Sequence, residues 1–271
     1  MRKLATVAVP LFLMTLAAPA HAGGPQFSTT ELQFQLGDLK VPKFAGGGDQ
    51  WTAIFTGQHA SGWSWGDFFM FVDVSKGGRS DETYFNHWDV YTEAYANFSS
   101  TKILKAKYGD GLLRDIGLIA GINYDHDARS LKFLPGIRFA WNVPGFAFFN
   151  TDITGYFDAS KGVRPGEHFA PKETDSFMID WNFASKSFQI GTQYFNVEGH
   201  AEYVGKRHNE FGDPVSWHIL AQPQLRWDAG NALFGKRNKL FLGTEYQLWI
   251  NKLGEKGTDE SRFEALAVLR F

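Results

Sequence analysis

This chain of 271 residues contains no cysteine, so disulfides contribute nothing to its fold. A chain of this length must bury a core or close a barrel without such staples. Long apolar runs are also missing beyond the N-terminal segment. Charged, Gly or Asn residues interrupt every candidate before it reaches the roughly 18 apolar residues a transmembrane helix requires. That excludes a helical membrane protein. Nor is there a strong excess of one charge: 27 basic residues stand against 29 acidic ones, which argues against a nucleic-acid partner. The sequence holds no internal repeat, low-complexity segment or cofactor motif.

What is present begins with Met1, Arg2 and Lys3, an almost unbroken apolar stretch over 4–18, and then Ala20-His21-Ala22. A short positive start, a short apolar stretch and small residues at its end form a secretory signal; the stretch is too short for a comfortable membrane anchor. Cleavage after Ala22 is expected, giving a signal peptide over 1–22 and one mature domain over 23–271. Loss of Arg2 and Lys3 leaves 25 basic against 29 acidic residues, a net charge of −4.

Aromatic residues make up 16% of the chain, among them 26 Phe and 9 Trp, yet the mean hydropathy is −0.27. Helical periodicity that would bury so many rings is lacking. A β-barrel accommodates both facts, because one face of each strand meets lipid and the other meets water or a polar lumen. The clearest strand is the last: Phe263, Ala265, Ala267, Leu269 and Phe271 alternate with Arg262, Glu264, Leu266, Val268 and Arg270. Ending on an aromatic of the apolar face, it resembles the terminal strand by which barrel-assembly machinery recognises outer-membrane barrels.

Comparable period-two runs occur at 29–37, 50–60, 63–75, 86–98, 113–125, 129–142, 145–158, 177–183, 188–199, 215–226 and 240–250. Together they predict an all-β fold, a transmembrane antiparallel β-barrel of about 12 strands. Short connections at Ser61-Gly62, Val143-Pro144 and Ser185-Lys186 alternate with longer polar ones at 76–85, 159–173, 201–213 and 254–260. That rhythm fits short periplasmic turns and longer external loops. The expected setting is the Gram-negative outer membrane, with a monomeric or loosely associated barrel surrounded by outer-membrane lipid.

Charged residues at membrane depth must avoid lipid, which orients the strands. The run 63–75 puts Asp67, Phe69, Phe71 and Asp73 on one face with Trp63 and Trp65, leaving Phe68, Met70, Val72 and Val74 for lipid. On the next run His87, Asp89, Tyr91, Glu93, Tyr95 and Asn97 share a face. Such a mixture of rings and carboxylates suits a ligand that is flat in one part and hydroxylated in another. The competing reading is filler, with the acids paired to Arg138, Arg226, Arg262 or Arg270.

The segment Gly57-Gln58-His59-Ala60-Ser61-Gly62-Trp63-Ser64-Trp65-Gly66-Asp67, continuing Phe68-Phe69-Met70-Phe71-Val72-Asp73-Val74, resembles the Tsx-like family of nucleoside-specific channel-forming outer-membrane proteins, including OmpK-type porins. The likeness extends through 85–97 and to the final strand. It implies a roughly twelve-stranded monomeric barrel whose narrow lumen passes nucleosides or similar small aromatic solutes, with phage or colicin reception through the loops as a by-product. Nucleosides are neutral, so their selection would rest on stacking and hydrogen bonds. Phe69, Phe71, Tyr91, Tyr95, Tyr156 and Trp249 are the candidate rings; Asp67, Asp73, Asp89, Glu93, Asp152 and Glu245 are the candidate acceptors for ribose hydroxyls.

Two other readings stand beside the channel: a plugged structural or adhesive barrel, and a lipid hydrolase. His59 and Ser61, two apart on one strand, match the His-x-Ser spacing of outer-membrane phospholipase and lipid A deacylase, but Gly62 follows where the phospholipase has Asn, and Ser61 falls at an expected turn. Catalysis is therefore not expected. Metal binding is not expected either: His87 and Asp89 make only two candidate ligands, and Tyr124-Asp125-His126-Asp127 reads as a polar loop at a strand end.

Overall fold

The computed structural model describes residues 23–78, 88–165 and 169–271. The expected signal peptide and His87 lie outside the described residues. Twelve barrel strands follow one another: β1 (Phe27–Lys40), β2 (Asp49–Trp63), β3 (Gly66–Gly77), β4 (Asp89–Ser99), β5 (Leu113–Asp125), β6 (Ser130–Trp141), β7 (Phe146–Asp158), β8 (Ser176–Ser185), β9 (Gln193–Val204), β10 (His218–Ala221 continued by Gln224–Trp227), β11 (Leu240–Ile250) and β12 (Glu260–Arg270). Each pairs antiparallel with its neighbours, and β12 returns to β1 with Leu32 opposite Leu269 and Leu36 opposite Ala265. The sheet is a closed antiparallel barrel, so no strand edge is left with unpaired backbone groups.

Polarity is inverted relative to a water-soluble core. Leu32, Phe55, Leu118, Phe133, Phe177 and Phe263 are exposed on the outside, whereas Glu31, Gln33, Glu93, Arg138, Arg226 and Glu264 are buried inside. Along β1 the alternation is direct, with Glu31, Gln33 and Gln35 inward and Leu32 and Leu36 outward. The outward period-two face is what solvation by lipid requires, and the inward face is what a polar lumen requires. Among the described residues no helix is long and apolar enough to cross a membrane.

Several boundaries differ from those expected. β2 runs on through Ser61 and Gly62, which pair with β3 opposite Phe68 and Asp67; the reversal is at Ser64-Trp65. Gly62 is not a turn residue but a place where the Phe27 ring lies against the backbone: a Cβ there would meet that ring at 2.2 Å. In consequence Trp63 and Trp65 leave the lumen face and stack with each other at 6.3 Å, Trp65 lying 5.3 Å from Phe98. The turn expected at Ser185-Lys186 is displaced to Gly191-Thr192, because Phe188–Ile190 pairs back on Gln193, Tyr194 and Phe195. The expected loop 201–213 starts later, since alternation carries β9 to Val204. β10 starts at His218 and is broken at Gln222-Pro223, where proline has no N–H for the ladder.

The start of β1 and the end of β12 lie at the end that carries the β2–β3 and β6–β7 turns. Two connections at that end, 100–112 and 228–239, are long and contain short helices, Ser100–Ile103 and Ala229–Phe234, capped by Ser99 and Asp228. Lys102 donates to the backbone oxygens of Trp63 and Gly66, both at 2.8 Å, and ties the first helix to the neighbouring turn. At the opposite end the connection between β9 and β10 carries a small hairpin, Arg207–His208 with Pro214–Val215. There Glu255 accepts from the Lys43 and Phe44 N–H groups at 2.8 and 3.0 Å, joining the β11–β12 loop to the β1–β2 loop.

Candidate functional site, the barrel lumen

β3 and β4 form one wall of the lumen. Their register sets Phe69 opposite Tyr95, Phe71 opposite Glu93 and Asp73 opposite Tyr91, so rings and carboxylates of the two strands alternate in one surface. Phe71 lies 6.1 Å from both Phe69 and Tyr91, centroid to centroid. The carboxylates between these rings are fixed by uncharged donors. Glu93 accepts from the hydroxyls of Tyr91 at 2.6 Å and Tyr95 at 2.9 Å and from the Asn123 amide at 2.9 Å. Asp73 accepts from the Thr56 hydroxyl at 2.6 Å. Charge-assisted bonds of this kind hold the phenol rings in place as well as the acids.

Asp67 and Asp152 have a different environment. Arg138 on β6 donates through Nε and Nη2 to Asp152, at 2.7 and 2.6 Å, and through Nη1 to Asp67 at 2.8 Å. Because Asp67 is three strands away on β3, this arginine spans part of the lumen. A second group lies on the other side of the barrel: Arg226 pairs with Glu31 at 3.1 Å and with Glu198, and Arg270 pairs with the same two acids at 2.5 and 3.4 Å. Gln224 reaches Gln33 at 3.2 Å by the same route. Arg262 is instead paired with Asp49 at the rim, 2.9 Å away and partly exposed.

The remaining expected residues are dispersed along the axis. Glu245 accepts from Gln222 at 3.0 Å and Gln224 at 2.5 Å. Tyr156 packs, with Tyr95, on the apolar cluster Leu134, Met178 and Val204. Its ring also lies 5.3 Å from the Lys132 ammonium and 5.5 Å from the Arg207 guanidinium. Trp249 is 5.6 Å from His218, and the Asp89 carboxylate is 3.4 Å from the Asp127 N–H at the mouth that carries the β5–β6 connection. Six of the expected residues, Phe69, Phe71, Asp73, Tyr91, Glu93 and Tyr95, thus form one continuous surface; of the other six, Asp67 and Asp152 meet at Arg138, and Asp89, Tyr156, Glu245 and Trp249 sit elsewhere in the same lumen.

Other lumen groups escaped the sequence reading. His200 meets Asp180 at 3.3 Å and Gln222 at 3.0 Å, and it faces Glu93 and Asp73 across the lumen. Asp180 also accepts from Asn182 at 2.7 Å. The available signal was the continued alternation of Glu198, His200 and Glu202, which assigning 201–213 to a loop concealed.

His59 and Ser61 lie on the outer face. The imidazole Nδ1 is 2.9 Å from the Thr30 hydroxyl, and the Ser61 hydroxyl accepts from the Trp63 indole at 3.0 Å. Ser61 is a strand residue, not a turn residue as expected. Among the described residues no group of three or more His, Cys, Asp or Glu is arranged to hold a metal.

No protein-family model matches this chain, and no curated protein matches it either. Solved structures with a similar course of the chain include a KdgM porin (10% identity, TM-score 0.45, covering 90% of this chain and 99% of that one). Another is described as a bacterial polysaccharide outer membrane secretin (10% identity, TM-score 0.41, 92% and 99%). A third is the Salmonella typhi OmpF complex with daunomycin (11% identity, TM-score 0.27, 90% and 97%).

Proposed function

We propose that the protein is an outer-membrane channel, not an enzyme, and that it passes small, flat, hydroxylated solutes selectively, nucleosides first among them. The observation that carries this reading is the wall of Phe69, Phe71, Tyr91 and Tyr95 with Asp73 and Glu93 set among the rings, inside a closed barrel whose outer surface is apolar. Such a wall offers a π-face to a base and acceptors to a sugar, and both kinds of contact are weak enough for a solute to leave as readily as it enters. The resemblance of 57–74 to the Tsx-like family supports the same solute class. An added phosphate would bring like charge toward the acids and is disfavoured.

The test is planar-bilayer conductance with nucleosides, nucleotides and sugars added in turn. Nucleosides should block small-ion current at concentrations where nucleotides and plain sugars do not. Tyr91→Ala should weaken that block by about 1–3 kcal/mol, the scale of base–aromatic stacking. Nucleotides blocking as strongly as nucleosides would overturn the selectivity. A second reading, the plugged barrel, is favoured by the arginines that bridge the lumen; complete absence of conductance from correctly folded protein would select it.

A further inference from the structure

Glu264 is the most isolated charge-bearing side chain of the lumen. It lies on the inward face of β12, is 1% exposed, and neither carboxylate oxygen has a hydrogen-bond partner. Its direct cross-strand neighbour is Glu245 on β11. The charged groups that act on it are Glu245, Glu260, Lys252 and Asp73. Lys252 is committed to Glu260 at 2.8 Å, while Asp73 accepts from the uncharged Thr56, and Glu245 from the uncharged Gln222, Gln224 and Gln35. Three carboxylates therefore share one stretch of lumen; His200 acts on Asp73 and Glu245 and Arg226 acts on Glu245, whereas the cation that acts on Glu264 is the Lys252 already paired with Glu260.

Room for the Glu264 side chain is built into the opposite strand. Gly37 lies against it, and a Cβ at that position would sit 2.6 Å from the Glu264 Cγ. Buried like charges left uncompensated are strongly unfavourable, and a bound cation relieves them. Among the described residues no three acidic or histidine side chains converge as a first shell, so the multi-carboxylate cage of a divalent ion is not available. Two facing carboxylates suit a single positive charge.

We infer that Glu264 and Glu245 hold a monovalent inorganic cation, Na⁺ or K⁺, at mid-depth in the barrel. The site stands independently of which solute the channel passes, and its test does not require conductance. The folded barrel in detergent is unfolded thermally in NaCl, KCl and N-methyl-D-glucamine chloride at equal ionic strength, with band shift on unheated gels as the readout. The small cations should raise the midpoint by a few degrees over the bulky one, and Glu264→Gln, refolded to the same gel mobility, should abolish the difference. Gly37→Ala, which pushes on the Glu264 stem, should diminish it. CaCl₂ at matched ionic strength should stabilise no more than KCl. Equal midpoints in all salts, a cation effect that survives Glu264→Gln, or selective stabilisation by calcium would each overturn the inference.

Discussion

Toward the end of the lumen where β1 begins and β12 ends, Arg138, Arg226 and Arg270 stand between Asp67, Asp152, Glu31 and Glu198 in close ion pairs. At mid-depth Asp73, Glu93 and Glu245 meet hydroxyls and amides, and Glu264 meets no donor. Both regions are polar and both are enclosed by the same lipid-facing sheet. What separates them is the source of compensation. The arginine region is neutralised by side chains of its own, through fork-shaped donors that fit two oxygens at once. The acidic region meets its charge through hydrogen bonds with neutral groups and through the His200 imidazole that faces it.

Removing an arginine should break this contrast most severely. Arg226→Met leaves Glu31 and Glu198 with Arg270 alone at a buried position, and loss of one partner of a buried pair costs about 3–5 kcal/mol. Urea titration of the folded barrel in lipid, followed by band shift, measures that loss. Arg138→Gln should cost about as much, because Asp67, 37% exposed, can be rehydrated but Asp152, 3% exposed, loses its ion pair. It should also raise single-channel conductance, since it removes the bridge between β6 and β3; unchanged conductance would show that Arg138 does not constrict the path.

Outside the membrane-spanning strands the contrast predicts smaller effects. Burial by itself raises the pKa of the Glu255 carboxyl, but hydrogen bonds from Thr258 and from the Lys43 and Phe44 N–H groups outweigh it and hold the pKa below the usual glutamate range. A depressed pKa means the stabilisation is complete above the ordinary glutamate value and is lost as pH falls through the folded value. Protease nicking of the 41–48 loop should therefore increase only in strongly acidic buffer, and Glu255→Gln should remove that dependence. The smallest effect is expected from Arg262→Gln, whose pair with Asp49 is about as exposed as a surface bridge. Its cost should be at most about 1 kcal/mol and should vanish in high salt.

Much of the barrel was legible because lipid imposes a strict period of two. Leu240–Ile250 and Leu113–Asp125 match the structure at both ends, and the twelve-strand count holds. Errors gathered where a residue has two uses. Ser61-Gly62 reads as a turn, yet Gly62 is there for the Phe27 ring. Ser185-Lys186 reads as a reversal, yet three further residues pair before the chain turns. For the lumen, alternation named the inward face of β3 and β4 correctly, but moving the turn to Ser64-Trp65 carried Trp63 and Trp65 outside.

The sequence by itself determined that this chain is all-β, apolar on one strand face and polar on the other, because those properties follow from local alternation and composition. Which acids are free and which are paired was decided only by closure of the barrel. Arg138 and Asp67, or Arg226 and Glu31, are 71 and 195 residues apart, and no local period links them. The shear and curvature of the closed sheet set them face to face across the lumen, and the same closure leaves Glu264 beside Glu245 with no hydrogen-bond donor on its carboxylate among the described residues.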